Sequence, residues 1–91
     1  MKIRNITGHG GQAVRNQFII TDDKGNSFFQ SYETIIAKQD RAGRITLDAN
    51  KWDCSATTGK YRNLFLGEDK ATTAKKIKAG TYKLADLNGG K

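Results

Sequence analysis

The chain has 91 residues, 36% of them hydrophobic and 27% charged, which reads as one globular domain with a modest core rather than a disordered segment. Lys and Arg number 16 against 9 Asp and Glu, a net charge of +7 that favours polyanionic partners and disfavours cationic ones. One Cys and one His exclude an internal disulfide and a four-ligand zinc site, and no apolar run approaches the roughly eighteen residues needed to span a bilayer.

Taken in chain order, Lys2 to Thr7 reads as a short first strand and Gly8-His9-Gly10-Gly11 as a loop. Ala13 to Thr21, with Val14, Phe18, Ile19 and Ile20, has strand chemistry. Asp22-Asp23-Lys24-Gly25-Asn26 is a polar turn, and Ser27 to Gln30 resumes with Phe28 and Phe29, so 13–30 reads as a hairpin. A second hairpin pairs 34–39 with 44–48 across Asp40-Arg41-Ala42-Gly43. A helix over 32–39 is the alternative, which β-branched Thr34, Ile35 and Ile36 in a row argue against.

After Asn50 the period changes. Ser55 or Thr57 can cap a helix running to about Leu66, with Tyr61, Leu64 and Phe65 on one face and Gly67 at the C′ position. Gly59 weakens its first turn, which points to a close approach by another backbone or a ligand, or to fraying. Asp69 to Ala79 reads as a second, short helix, its Lys75, Lys76 and Lys78 set favourably against the helix dipole and Ala74 and Ile77 turned inward. Thr81 to Leu87 is expected to be a last strand, and 88–91 a frayed tail. The whole predicts a single α+β domain over 1–91: a β-hairpin region (1–50), then helices and last strand (51–87). It has about five mostly antiparallel strands, two hairpins plus a C-terminal strand, packed with one main helix and one short Lys-rich helix.

The charge is uneven. Residues 1–50 carry seven basic and five acidic side chains, residues 51–91 nine basic and four acidic, so the basic surface is expected to centre on the second half. Lys75, Lys76 and Lys78 form its densest cluster, which reads either as a solvated helix face or as a set of phosphate contacts. Trp52 to Tyr61 sets aromatic rings beside Lys51, Lys60 and Arg62, a mixture in which rings can stack on unpaired bases while cations hold phosphates. The plain reading places Trp52 and Tyr61 in the core. Lys60 and Arg62 flank the buried helix face on opposite sides, so they are not expected to grip one phosphate together. The free N–H groups of the first helical turn are a further candidate for a phosphate oxygen.

Catalysis needs a nucleophile beside a base, and no such set stands out. His9 and Cys54 could meet only by tertiary accident, Asp22 and Asp23 lie in a turn, and Gly8 to Gly11 lacks the Gly-Lys-Ser/Thr ending of a phosphate-binding loop. No catalytic residue, cofactor or metal is expected. The first residues, Met1 to Asn5, lack the apolar run of a signal peptide, so a cytoplasmic location is expected.

Ser31-Tyr32, Ile36-Ala37, Trp52-Asp53, Ser55, Thr57-Thr58, Lys60-Tyr61 and Phe65-Leu66-Gly67 form the pattern S-Y-x3-I-A, a spacer, then W-D-x-S-x-T-T-x-K-Y-x3-F-L-G. Over about residues 28–67 it resembles a family of small proteins from tailed-phage genomes, with Cys54 where such relatives usually have Tyr. The resemblance implies a phage accessory protein made in the cytoplasm of an infected bacterium. Such a protein would bind nucleic acid or inhibit a host nuclease, toxin or defence factor. It brings no catalytic residues. The expected function is therefore nucleic-acid binding without catalysis, RNA or single strands favoured, through Lys51, Trp52, Lys60, Arg62, Lys75, Lys76 and Lys78. The alternative is a protein–protein inhibitor that docks its basic face on an acidic host protein, with Trp52 or Tyr32 as the aromatic anchor.

Overall fold

The structure is a computed structural model that describes residues 1–8 and 10–89. The expectations for His9, and for the last two residues of the tail, lie outside the described residues. Six strands form one sheet in chain order: β1 (Lys2–Thr7), β2 (Ala13–Thr21), β3 (Ser27–Ser31), β4 (Thr34–Gln39), β5 (Ile45–Asp48) and β6 (Lys83–Ala85). The first five are a continuous antiparallel meander rather than two separate hairpins. Helices α1 (Ala56–Leu66) and α2 (Lys70–Lys78) carry the chain back, so the last strand lies parallel to β5. The α+β class holds; the last strand is shorter than the alternation of 81–87 predicts.

Two of the turns use one device. Asp22 Oδ1 accepts from the backbone N–H groups of Lys24 and Asn26, and Asp40 Oδ1 from those of Ala42 and Arg44, all at 2.9 Å. Gly25 and Gly43, three residues after each Asp, take a φ of 88°, a left-handed conformation that glycine adopts without a Cβ clash. The tight turn Tyr32–Glu33 between β3 and β4 has no glycine, and Tyr32 itself sits at φ 57°. Its N–H donates to Asn16 O, and Asn16 is likewise left-handed (φ 63°) at an irregularity in β2.

Strand alternation gives the sheet two unlike faces. One cross-strand row runs Arg4, Ile19, Phe29, Ala37, Leu47, Leu84. Its centre is fully buried, and Phe65, Tyr61, Leu66, Trp52 and Ile77 of the helical half pack over it together with Tyr82. The Phe29 and Phe65 rings stack with centroids 6.0 Å apart. The neighbouring row on the opposite face runs Ile3, Ile20, Phe28, Lys38, Thr46, Lys83. None of these six belongs to the core cluster, and Ile3 is 63% exposed.

The helix faces differ from their sequence reading in two places. In α1 Tyr61 and Phe65 pack on the core as expected, but Leu64 is exposed and the fully buried residues are Thr58, Gly59 and Arg62. The buried face extends toward Thr58 and away from Leu64, because Thr58 shares a buried 3.0 Å hydrogen bond with Ser31 of β3. In α2 Thr73 and Ile77 face inward at an i, i+4 spacing and Ala74 is exposed, because Thr73 Oγ1 is drawn in by Glu68 Oε2 at 2.7 Å.

Candidate functional site

Of the two caps the sequence offers, Ser55 and Thr57, helix α1 uses Ser55. Ser55 is extended and its Oγ accepts from Thr58 N at 3.1 Å; Gly67 ends the helix in the left-handed conformation (φ 72°). Arg62 is the surprise of the segment. It is 1% exposed, and its Nη1 donates to Trp52 O (2.7 Å) and to Asp53 Oδ1 (3.4 Å) while Nη2 donates to Asn63 Oδ1 (3.0 Å). The guanidinium carbon stands 5.2 Å from the Trp52 ring centroid. A Cβ on Gly59 would stand 3.5 Å from Nη2, so the close approach that Gly59 signals is made by the protein's own arginine. Arg62 is a buried pin for the Trp52 loop, and the expectation that it meets phosphate is corrected by its burial.

An acidic residue organises the second helix. Glu68, between α1 and α2, accepts from Lys76 Nζ (2.7 Å) and Tyr82 Oη (2.8 Å) on one oxygen and from Thr73 Oγ1 (2.7 Å) on the other. Burial pushes its carboxyl up, but the hydrogen bonds from Lys76, Thr73 and Tyr82 outweigh this and hold it below its ordinary value. The same bond to Glu68 raises Lys76, and burial, followed by the bond to Glu68, raises Tyr82. Asp69, not Glu68, caps α2, accepting from Thr72 N at 2.8 Å. Asp53 is lowered chiefly by its hydrogen bond with Lys70, whose Nζ is 2.7 Å away.

Of the seven side chains singled out by sequence, four present a free cation: Lys51, Lys60, Lys75 and Lys78 are exposed, and among the described residues none forms an ion pair. Lys60 Nζ lies 5.4 Å from the Tyr61 ring centroid. Lys76 is half-exposed and tied to Glu68, Arg62 is buried, and Trp52 is half-buried against the core under the Arg62 guanidinium. The structure thus divides the set into surface lysines and internal fasteners. Tyr32, the other candidate anchor, is 57% exposed.

An open cleft of about 820 Å³ lies beside the N-terminal half of α1, lined among others by Asp53, Cys54, Lys60 and Lys70. The Ser55 cap already occupies the N–H of Thr58 there, and Lys70 is engaged by Asp53. Cys54 is exposed and free. In the glycine loop the N–H groups of Gly8 and Gly11 donate to Gln12 O and Gly8 O, so neither points to a phosphate. Among the described residues no group of three His, Cys, Asp or Glu is placed to hold a metal ion, and no helix is long and apolar enough to cross a membrane.

The quoted signature has a structural explanation almost throughout. Ser31 and Thr58 bond each other, Ile36 and Ala37 are core, Trp52 and Asp53 receive Arg62, Ser55 and Gly67 cap the helix, and Tyr61, Phe65 and Leu66 pack on the sheet. What the sequence reading passed over is the open sheet face, whose signal was the parity of Phe28 against Phe29 and of Phe18 and Ile20 against Ile19. The chain belongs to a family of unknown function (DUF8033), whose model matches residues 1–80. No curated protein and no solved structure gives a significant match.

Proposed function

We propose that this member of a family of unknown function is a non-enzymatic, basic protein that binds nucleic acid, RNA or single strands in preference to a specific duplex site. The observation that carries the reading is the set of exposed lysines without a carboxylate partner among the described residues: Lys51, Lys60, Lys75 and Lys78, on a chain of net charge +7. Flexible ammonium groups of this kind neutralise phosphates without reading sequence. Neither α1 nor α2 presents an array suited to a major groove: α1 turns its central cation inward, and α2 is nine residues long with Lys76 tied to Glu68. The setting we propose is that of a phage accessory protein in the cytoplasm of an infected bacterium, on the strength of the Trp52 to Gly67 signature.

A gel shift with labelled single-stranded RNA and DNA at low and moderate salt tests the reading. Binding is expected at low salt and is expected to weaken steeply as salt rises, with each lysine-to-alanine change at 51, 60, 75 or 78 lowering the log–log slope by about 0.7. No shift at low salt, or a shift insensitive to salt, overturns it.

A second reading, docking on an acidic host protein, is favoured by one observation: Tyr32 stands 57% exposed on a left-handed backbone. Pull-down from host lysate with and without nuclease separates the two. Capture that survives nuclease favours the protein partner, and capture that vanishes favours nucleic acid.

A further inference from the structure

The helices cover one face of the sheet; the other face has its own chemistry. The row Ile3, Ile20, Phe28, Lys38, Thr46, Lys83 crosses all six strands, and beside it Asn5, Phe18, Gln30 and Ile35 form a shorter row of the same parity. Ile3 and Lys83 are exposed, and Phe18, Ile20, Phe28 and Ile35 are partly so, all outside the core cluster. Neither row carries a carboxylate. Among the described residues Asp48 is the only acid in the six strands; it is 1% exposed, and its carboxylate oxygens accept from Leu87 N (2.8 Å) and Asn50 N (3.2 Å). Lys38 Nζ lies 5.8 Å from the Phe28 ring centroid.

We propose that this open face is where the bases of a single-stranded nucleic acid lie, with Phe28 and Phe18 as stacking rings and Lys38 and Lys83 as phosphate contacts. The inference rests on the nucleic-acid reading above and adds to its surface lysines a base-stacking platform on the far side of the sheet from the helices. Phe18 pairs with Gln30, two residues from Phe28 on β3, so the two aromatic residues are diagonal cross-strand neighbours, roughly 7–8 Å apart. Rings so placed on a rigid sheet can each take an unpaired base, while cations within reach of the same row hold the intervening phosphates. Charge selects the occupant. A second copy laid face to face would bring Lys38 and Lys83 against their equivalents, on bodies that already repel through +7 each. A polyanion with apolar faces meets both components of the surface. Few polar groups remain to read base edges: Asn5 Nδ2 donates to Val14 O and Gln30 Nε2 to Tyr32 O. Recognition is therefore expected to tolerate sequence.

The test uses the full chain and fluorescein-labelled oligouridylate and oligothymidylate of about twelve nucleotides, read by anisotropy at low salt. Phe28→Leu keeps the apolar bulk and removes the aromatic face; it is expected to weaken binding about tenfold while the thermal melt stays close to wild type. Lys38→Gln, which replaces a partly exposed cation and leaves the fold intact, is expected to weaken it severalfold and to lower the salt slope by about 0.7. Amide chemical shifts of the wild type are expected to move in β1 to β4 when oligouridylate is added. If the wild type binds but both variants bind equally well, or the shifts are confined to α1 and α2, this inference falls and the nucleic-acid reading stands. If the wild type binds neither oligonucleotide at low salt, the nucleic-acid reading itself falls. Phe28-dependent binding to phosphatidylglycerol vesicles without binding to either oligonucleotide would reassign the face to a lipid surface and overturn the proposal. Should Phe28→Leu fail to fold, Lys38→Gln and the wild-type shifts decide the matter.

Discussion

The helical layer and the open sheet face both carry lysines, but only the helical layer ties some of its cations to carboxylates. In the helical layer Arg62, Lys70 and Lys76 each meet a carboxylate, at 3.4, 2.7 and 2.7 Å, and Arg62 and Lys76 also hold a backbone carbonyl or a phenol. On the sheet face Lys38 stands beside Phe28 and Lys83 beside Thr46, with no acid in their row. Residues 51–91 hold most of the excess charge, yet three of their nine cations are tied to carboxylates. A count of charge along the chain therefore overstates one surface and understates the other. What distinguishes them is the availability of each cation, set by burial and by the carboxylates folded beside it.

The sharpest way to break this comparison is to remove the cation assigned most firmly to the interior. Arg62→Ala deletes three hydrogen bonds, opens a void under Trp52 and leaves the Trp52 carbonyl without its donor. A loss of about 3 kcal/mol or more is expected from urea unfolding, a large fraction of the stability of a domain this size. Arg62→Lys keeps the charge but not the planar fork and is not expected to restore it. Lys60→Ala, two residues away and exposed, is expected to change stability by less than about 0.5 kcal/mol. A cost below about 1 kcal/mol at Arg62 would mean the guanidinium reaches water, and would return it to the list of phosphate contacts.

Apart from the last strand, strand and helix bounds were legible because they rest on local signals: Asp and Gly at fixed offsets in the turns over 22–26 and 40–43, Ser55 before the first helical turn, Gly67 after the last. The inward position of Arg62 was not legible. Periodicity assigns helix faces by hydrophobicity, and a guanidinium that buries itself by finding Trp52 O, Asp53 and Asn63 breaks that rule through tertiary contacts. The same holds for Glu68, whose partners Thr73, Lys76 and Tyr82 lie 5, 8 and 14 residues on. The open face was legible in principle, since each strand shows its parity. It emerged only once the register of all six strands aligned Ile3, Ile20, Phe28 and Lys38.

A smaller effect is expected at the Glu68 cluster. Glu68→Gln keeps the shape and removes the charge that holds Lys76 and Tyr82, and is expected to cost about 1–2 kcal/mol at neutral pH. The carboxyls of Glu68 and Asp53 are held below their ordinary values in the fold. Their contribution is therefore complete above the ordinary carboxylate range, near pH 4, and is lost as the pH falls through the lower folded values. Lys76 is shifted the other way, so its contribution is present below its ordinary value and is lost as the pH rises through the raised one. Melting temperature against pH is thus expected to drop on both flanks in the wild type. Glu68→Gln is expected to flatten the acid flank. An acid flank unchanged in that variant would show that Asp53 and the turn aspartates set it.

The smallest effect is expected at Tyr32, and it bears on both surfaces. A non-glycine residue at φ 57° carries a steric cost of about 1 kcal/mol, set against the extra chain entropy that glycine gains on unfolding. Tyr32→Gly is therefore expected to stabilise the fold by roughly 0.5 kcal/mol, since the Asn16 carbonyl still receives the N–H of residue 32 and a 57%-exposed ring gives up little packing. Destabilisation by more than that would show that the ring packs in solution and needs no partner to explain it. If the variant is more stable and binds single strands as well as the wild type, the strain belongs to a different ligand, and the acidic protein partner gains. If it is more stable and binds less well, the turn is part of the same surface as Phe28. The protein would then keep a strained tyrosine at the end of its open sheet face because an exposed aromatic there is worth more to binding than the strain costs the fold.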